Sequence, residues 1–394
     1  MILVLNVGST SVKYELFDEL ASIAEGAVTD VGESASRIWQ AVGGQTVEET
    51  GQISDHAEAV DVALSRLTEG EAAVLSGVGD ISAVGHRVVH GGQLSASHLI
   101  DEDVKATIRE YAPVAPLHNP VNLAGIEAAE AVLPEVPQVA VFDTAFHQTM
   151  PPRAYLYGLP YEYYEEYDVR RYGFHGISHE YVGREAARML GRPFEETNLV
   201  TCHLGGGCSM AAIEAGRSVD TTMGFSPLEG LVMATRTGDL DPTVVQYLVD
   251  ELGMSLEAVF DVLNHDSGVA GLSGVSEDMR DVLAARADGD ERAGLAVDAF
   301  TYRIARYAGA YATILGEVDG LVFTAGVGEN APSIREEVCA TPGLGTELDA
   351  EANRAAVGEE AVLSTEDSEI PVLAVPTDEE RMIARETAAV VGVG

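Results

Sequence analysis

The chain has 394 residues, 46% of them apolar, enough for two or three folded units with substantial cores. Its 64 acidic residues against 23 basic ones leave a formal net charge of −41, which excludes nucleic acid and anionic membrane as partners, since both demand clustered Lys and Arg. Three cysteines, Cys202, Cys208 and Cys339, with no CxxC pair, argue against a disulfide framework and a zinc site and for a reducing compartment. The opening MILVLNVGST lacks the basic residues and cleavage site of a secretory signal, and no run of 18 apolar residues occurs, so a cytoplasmic chain is expected. Dispersed negative charge self-repels in dilute salt and is screened where the Debye length falls to ~3 Å at 1 M. The expectation is a halophilic, salt-rich cytoplasm, with an ordinary acidic surface as the plainer alternative.

Residues 2–6 (ILVLN) read as a buried strand, 8–11 as a turn and 12–17 as a returning strand. Strands are predicted at 83–89 and 137–144, helices around 55–69, 101–111, 121–132 and 178–190, and this alternation points to an α/β protein. The residues FHQTMPP at 146–152 mark a boundary, because two prolines break the preceding strand. At 198–221 the opening grammar returns as strand, Gly-rich turn, strand, turn and short strand. Two such units suggest a duplicated two-domain architecture; two unrelated hairpins would read the same way. Helical patterns follow at 242–252, 255–263, 276–287 and 289–315, then strand, Gly turn and helix over 319–338, a strand at 371–376 and a helix at 378–391.

Gly-rich turns after strands suit phosphates, because glycine lets backbone N–H groups approach an anion. Neither of the two lysines, Lys13 and Lys105, follows a glycine as a P-loop requires, and NVGSTS is not GxGxxG. The first turn offers Asn6, Ser9, Thr10, Ser11 and Lys13, a polar turn as readily as a site. In GHRVVHGG (85–92), strand alternation puts Arg87 and Val89 on one face and His86, Val88 and His90 on the other. A guanidinium beside a small apolar side chain suits a short carboxylic acid; a surface ion pair beside a core valine is the plainer reading, and His86 with His90 lacks a third metal ligand. Asp143 stands where α/β folds put catalytic side chains, His147 follows in AFHQTMP, His175 lies in YGFHGISH and Arg236 in MATRTGDLDP. Taken singly, each is at home as loop chemistry.

Together, LNVGSTSVKY, GHRVVHGG, VFDTAFHQTMP, RYGFHGISH, HLGGG with DTTMGFSPLEGLVMATRTGDLDP, GVSEDMRDV, FTAGVGEN and PTDEERMIARET resemble the acetate kinase family in order and spacing over nearly the whole chain. The resemblance implies the duplicated ribonuclease H-like fold of acetate and sugar kinases, Hsp70 and actin, with an interdomain ATP cleft. The implied domains are 1–147 plus 378–394 and a nucleotide-binding 148–377. The implied reaction is reversible, Mg2+-dependent, direct in-line phosphoryl transfer between ATP and acetate, giving acetyl phosphate and ADP, with Mn2+ as an alternative metal and a homodimer as the assembly. By resemblance Arg87 holds the acetate carboxylate, Arg236 and His175 stabilise the transferring phosphoryl group, and Val89, Leu117, Phe174 and Pro227 form the methyl pocket. Asp143 matches an essential aspartate often called a proton acceptor. A carboxylate nucleophile has no proton to lose, which favours a role in orienting hydrated Mg2+ or an arginine.

Ser9, Ser11 and Lys13 match the first phosphate motif, Asn6 and Glu379 the magnesium positions, and His118 a cleft position. His203, Leu204, Gly205, Gly206 and Gly207 match the second phosphate turn; Asp278, Met279 and Arg280 with Gly326, Val327, Gly328, Glu329 and Asn330 resemble the adenosine pocket. Gly206 stands where the family usually has asparagine, and Asp378 replaces an asparagine, adding charge near the metal; Thr10 for serine and Ala234 for glycine look harmless. The alternatives are propionate kinase, opposed by the bulk of Val89, a less fitting butyrate kinase, and a non-kinase ATP-binding module of the Hsp70 or actin type, which leaves Arg87, His175 and Arg236 without work.

Overall fold

A computed structural model describes residues 1–116 and 118–393. The chain forms two compact units, Met1–Gln148 with Asp378–Gly394, and Thr149–Thr377.

The first unit is built on β1 (Ile2–Gly8), β2 (Ser11–Asp18), β3 (Ala21–Thr29), β4 (Ser36–Val42), β5 (Gln45–Gly51), β6 (Ala83–Val88), β7 (His98–Leu99) and β8 (Gln138–Phe142). Their order in the sheet is β5-β4-β3-β2-β1-β6-β8-β7. The first five make an antiparallel meander, and β6 and β8 join beside β1 in parallel. A continuous apolar run marks β1 because both its faces are covered. Leu3, Leu5 and Val7 pack among Ala59, Ala63 and Leu67 of the helix His56–Thr68 and Ala128 and Ala129 of the helix Asn119–Val132, each full burial of a Leu or Val contributing roughly 1.5–3 kcal/mol. The C-terminal helix Glu379–Val391 lies against β6, β1 and β8. Gly85 permits this: a Cβ there would stand 2.3 Å from Thr387 Oγ1 and 2.8 Å from Ile383 Cγ2.

The second unit repeats the plan with β9 (Leu199–Leu204), β10 (Cys208–Glu214), β11 (Arg217–Thr221), β12 (Gly320–Thr324), β13 (Ala361–Val362) and β14 (Val372–Ala374), in the order β11-β10-β9-β12-β14-β13. Antiparallel β11-β10-β9 continues as parallel β9-β12-β14, the same third-second-first-fourth-fifth order and directions as β3-β2-β1-β6-β8. The ribonuclease H-like α/β arrangement is therefore present twice. The helices Gly176–Met189 and Glu291–Leu315 pack on this second sheet, and Cys202, Cys208 and Cys339 are free and buried.

The strands β3 to β5, for which the sequence raised no expectation, carry little apolar alternation, β5 having no fully buried residue. Two expectations need correction. The Gly turn expected after β12 is already helical, Ala325–Asn330, entered through Ala325 at φ 63°. Finally, β6 ends at Val88, so alternation along the strand does not extend to Val89 and His90.

Candidate active site

The singled-out side chains form clusters within each unit. In the first, parallel pairing carries Asn6, Arg87 and Asp143 to the same edge, toward the C-terminal ends of β1, β6 and β8. Asp143 Oδ1 accepts from Arg87 Nε at 3.1 Å and Oδ2 from Nη2 at 2.8 Å, and Glu379 Oε2 lies 3.6 Å from the same Nη2. Asp143 is buried and Arg87 partly so. Burial, joined by the Glu379 charge, pushes the Asp143 carboxyl up against the pull of Arg87 and, more weakly, His118. Burial works against the Arg87 charge too, but Asp143 and Glu379 outweigh it and hold the guanidinium pKa above its ordinary value. Asp143 thus occupies one edge of the guanidinium, Nε with Nη2, while the Nη1 edge has no part in that pair.

The loop after β6 is held by two asparagines that the sequence reading missed. Asn122 accepts from Val89 N at 3.1 Å and donates to Val7 O at 2.9 Å. Asn119 accepts from His90 N and donates to His90 O and Ile108 O. The signal was HNPVN, two asparagines one helical turn apart on either side of a proline in the first turn. The β1–β2 turn, with exposed Ser9 and half-buried Ser11, is tied by His56 Nε2 to Gly8 O at 2.8 Å and by Val31 N to Thr10 O at 3.0 Å. Lys13, opposite Asn6 in the β1–β2 register, is exposed and makes no ion pair among the described residues. Lys105, by contrast, is buried between Glu102 and Glu130.

In the second unit the 205–207 turn joins β9 to β10, closed by Gly205 N to Gly207 O at 3.1 Å and held from outside by Ala234 N to Gly206 O at 3.1 Å. A Cβ on Gly207 would fall 3.4 Å from His175 Nε2 and 3.6 Å from Arg236 Nη1, so these groups flank a space that glycine leaves open. His175 is presented from a left-handed backbone, φ 57° and ψ 24°, at the N-cap of Gly176–Met189, a conformation costing a non-glycine residue on the order of 1–3 kcal/mol. Its ring stacks on His203 at 4.1 Å. Arg236 Nη1 also reaches Pro227 O at 3.2 Å, and burial pulls the Arg236 pKa down.

The acetokinase family model matches residues 1–385. The chain is 50% identical over 396 aligned positions to acetate kinase of Thermotoga maritima, covering 99% of this chain and 98% of that one. Among solved structures, acetate kinase of Porphyromonas gingivalis superposes with a TM-score of 0.94 at 44% identity, and a propionate kinase from Francisella tularensis with 0.92 at 38%, each covering 99% of both chains. The chain belongs to the acetokinase family.

Against the acetokinase motifs, Arg87, Asp143 and Glu379 come together in the first unit, with His118 close enough to influence Asp143 and Asn6 on the neighbouring strand β1. In the second unit His175, His203, Gly207, Arg236 and Pro227 come together, with Phe174 buried beside His175. The 326–330 segment abuts the Gly-rich turn: β12 places Thr324 beside His203, and a Cβ on Gly205 would lie 3.7 Å from Ala325 Cβ. Its shape is set by Arg335, wholly buried, which donates to Gly328 O and Glu329 O at 2.8 Å. Glu329 Oε1 turns back to accept from Ala325 N and Thr377 N. The polar partners of Asp278, among the described residues, are Ser276 and Arg280, with Met279 opening the helix Met279–Ala287. Leu117, expected in the methyl pocket, lies outside the described residues; Val89 belongs to the first unit and Phe174 and Pro227 to the second.

Asp378 has a structural duty besides its charge. It is the N-cap of the C-terminal helix, accepting from Arg381 N at 2.9 Å and pairing with Arg381 Nε at 3.1 Å, a duty Asp and Asn perform alike. Asn6, Asp143 and Glu379 supply hard oxygen donors of the kind Mg2+ or Mn2+ accepts. Among the described residues no three His, Cys, Asp or Glu side chains stand close enough to hold a metal by themselves.

Proposed function

We propose that the chain is an acetate kinase, transferring the γ-phosphoryl group of ATP reversibly to acetate to give acetyl phosphate and ADP. The observation that carries this reading is the divided guanidinium of Arg87: Asp143 occupies the Nε and Nη2 edge, which leaves the Nη1 edge for the carboxylate of a small acid. One oxygen of that carboxylate attacks the γ-phosphorus, and the bond from phosphorus to the bridging oxygen breaks, leaving with ADP. Acetate arrives ionised, so no general base is required, and Asp143 serves by fixing the plane of Arg87. His175 and Arg236, converging beside Gly207, meet the charge on the equatorial oxygens of the transferring group. Asn6 and Glu379 are the residues that would hold Mg2+, which when bound neutralises charge on the nucleotide phosphates. Ser9, Ser11 and Lys13 and the 203–207 turn are read as phosphate contacts, and 278–280 with 326–330 as the adenosine pocket.

A hydroxamate assay for acyl phosphate in KCl from 0.1 to 4 M tests the activity and the halophilic reading together. Acetyl hydroxamate rising with salt is expected; full activity and secondary structure in dilute buffer would sink the halophilic part. A higher kcat/KM for propionate would move the reading to propionate kinase, a discrimination of one methylene worth only ~1–3 kcal/mol. Slow ATP hydrolysis indifferent to acetate would favour a non-kinase module. No helix among the described residues is long and apolar enough to cross a membrane, which suits the cytoplasmic reading. A homodimer is supported by exposed Tyr247, Leu252, Leu256 and Phe260; sedimentation equilibrium giving a monomer would remove it.

A further inference from the structure

Behind His175 runs a buried file of side chains for which phosphoryl transfer has assigned no role. His175 Nδ1 lies 2.9 Å from Ser209 Oγ, the same Oγ lies 2.8 Å from His179 Nε2, and His179 Nδ1 lies 2.7 Å from Thr201 Oγ1. Ser209, His179 and Thr201 are fully buried. They come from three elements: His179 is one helical turn beyond His175 in Gly176–Met189, Thr201 is on β9 and Ser209 on β10. A second file sets the plane of the ring. His203 stacks on His175 at 4.1 Å and 22°, its Nδ1 lies 2.8 Å from Ser178 Oγ, and that oxygen lies 2.8 Å from Thr377 Oγ1.

Ser209 has one hydroxyl proton and two imidazole nitrogens facing it, so at most one ring accepts from the hydroxyl and the other donates to it. The far edge of His175 settles which. Its Nε2 is the atom beside the open space at Gly207, with Arg236 Nη1 at the other side. A neutral ring that is to meet an anionic phosphoryl group there needs its single proton on Nε2, hence a bare Nδ1. The file then has one direction: Thr201 Oγ–H to His179 Nδ1, His179 Nε2–H to Ser209 Oγ, Ser209 Oγ–H to His175 Nδ1.

We propose that Ser209 is a positioning residue whose hydroxyl, oriented by His179 and Thr201, donates to His175 Nδ1 and so places the ring proton on Nε2, facing the transferring phosphoryl group. The proposal rests on the acetate kinase reading only for the identity of the anion. Ser209→Ala removes the donor without touching substrate. Its kcat is expected to fall about ten- to hundredfold, the range seen when hydrogen-bond partners that orient metal-ligating imidazoles are removed, with KM for acetate and ATP within about twofold. Ser209→Thr, which keeps a hydroxyl, is expected to recover most of the rate.

Nitrogen-15 NMR of the histidine rings in the full-length protein reads the tautomer without any turnover, the His175 signals being assigned by their loss in His175→Gln. The wild type is expected to carry the neutral-ring proton on Nε2, and Ser209→Ala to shift it toward Nδ1. If Ser209→Ala fails to fold, Ser209→Cys keeps the volume, weakens the donor and is read the same way. A wild-type neutral ring protonated on Nδ1, or a folded Ser209→Ala with wild-type tautomer or kcat within twofold, overturns the proposal. A wild type that makes no acyl phosphate but shows the Nε2–H tautomer, lost in Ser209→Ala, overturns the proposed activity and leaves the positioning role standing.

Discussion

At the scale of single residues, Arg87 shows how one side chain comes to serve stability and chemistry together. Its partner Asp143 is buried, so deleting the guanidinium strands a carboxylate in low dielectric. Arg87→Ala is therefore expected to cost about 3–5 kcal/mol of folding stability, visible as a marked fall in Tm. Arg87→Lys retains a charge but loses the two-edged fork; its Tm should fall far less while kcat/KM for acetate drops by about a hundredfold or more, in line with losing a charge-stabilising donor. A Lys variant with near-normal acetate kinetics would remove Arg87 from substrate binding. Gly206 invites the opposite experiment. Nothing lies within 4 Å of where its Cβ would stand, so Gly206→Asn adds a donor without displacing a neighbour. If that donor reaches phosphate, KM for ATP is expected to fall by about tenfold, the worth of one hydrogen bond to a charged group; an unchanged KM would mean that the backbone turn suffices.

At the scale of elements, the C-terminal helix Glu379–Val391 joins packing to the site. Its first residue, Glu379, faces Arg87, and its middle rests on β6 at Gly85, where Thr387 and Ile383 fill the volume of a missing side chain. Gly85→Ala is expected to push the helix outward at a cost of about 1–3 kcal/mol. Denaturant unfolding should show that loss, and kcat should fall with it because Glu379 moves; an unperturbed midpoint would mean that the contact is slack. Asp378 shows why a sequence departure is hard to weigh alone: read as an added charge near the metal, it is also the helix cap and pairs with Arg381. The stretch from β3 to β5 shows the limit from the other side. A strand such as β5, exposed along nearly its whole length, leaves no periodic trace because burial writes the pattern.

At the scale of the whole molecule, the net charge of −41 is a collective load that also has local centres. Glu15 on β2 stands directly opposite Glu25 on β3, and with Lys13, Trp39 and Glu380 they line one hollow of about 230 Å³. Burial first, then the charges of Asp378, Glu380 and Glu25, raises Glu15 from 4.5 to about 7 against a hydrogen bond from Ser22. Between those values the folded state keeps a proton that the unfolded state has released, so stability falls as pH rises from about 4.5 to about 7. Glu15→Gln is accordingly expected to raise Tm at pH 8 and to change little at pH 4, and concentrated KCl to reduce the gain by screening the neighbouring charges but not the burial. Equal shifts at both pH values would discount the coupling.

The sequence alone determined the alternation of strands and helices, the repeated hairpin, the family and the identity of the residues with chemistry to offer, because apolar periodicity and turn residues act over a few positions and survive in the order of the letters. It also made Lys13 worth noticing, and its fellow Lys105 proves to be committed to Glu102 and Glu130. Only the tertiary structure decided what each reactive side chain is bound to. That Asp143 takes one edge of Arg87, that Asn122 ties Val89 to Val7, and that Ser209 stands between two histidines are meetings of residues far apart in the chain. Such meetings are set by parallel pairing and by helices closing over a sheet, and no local pattern encodes them.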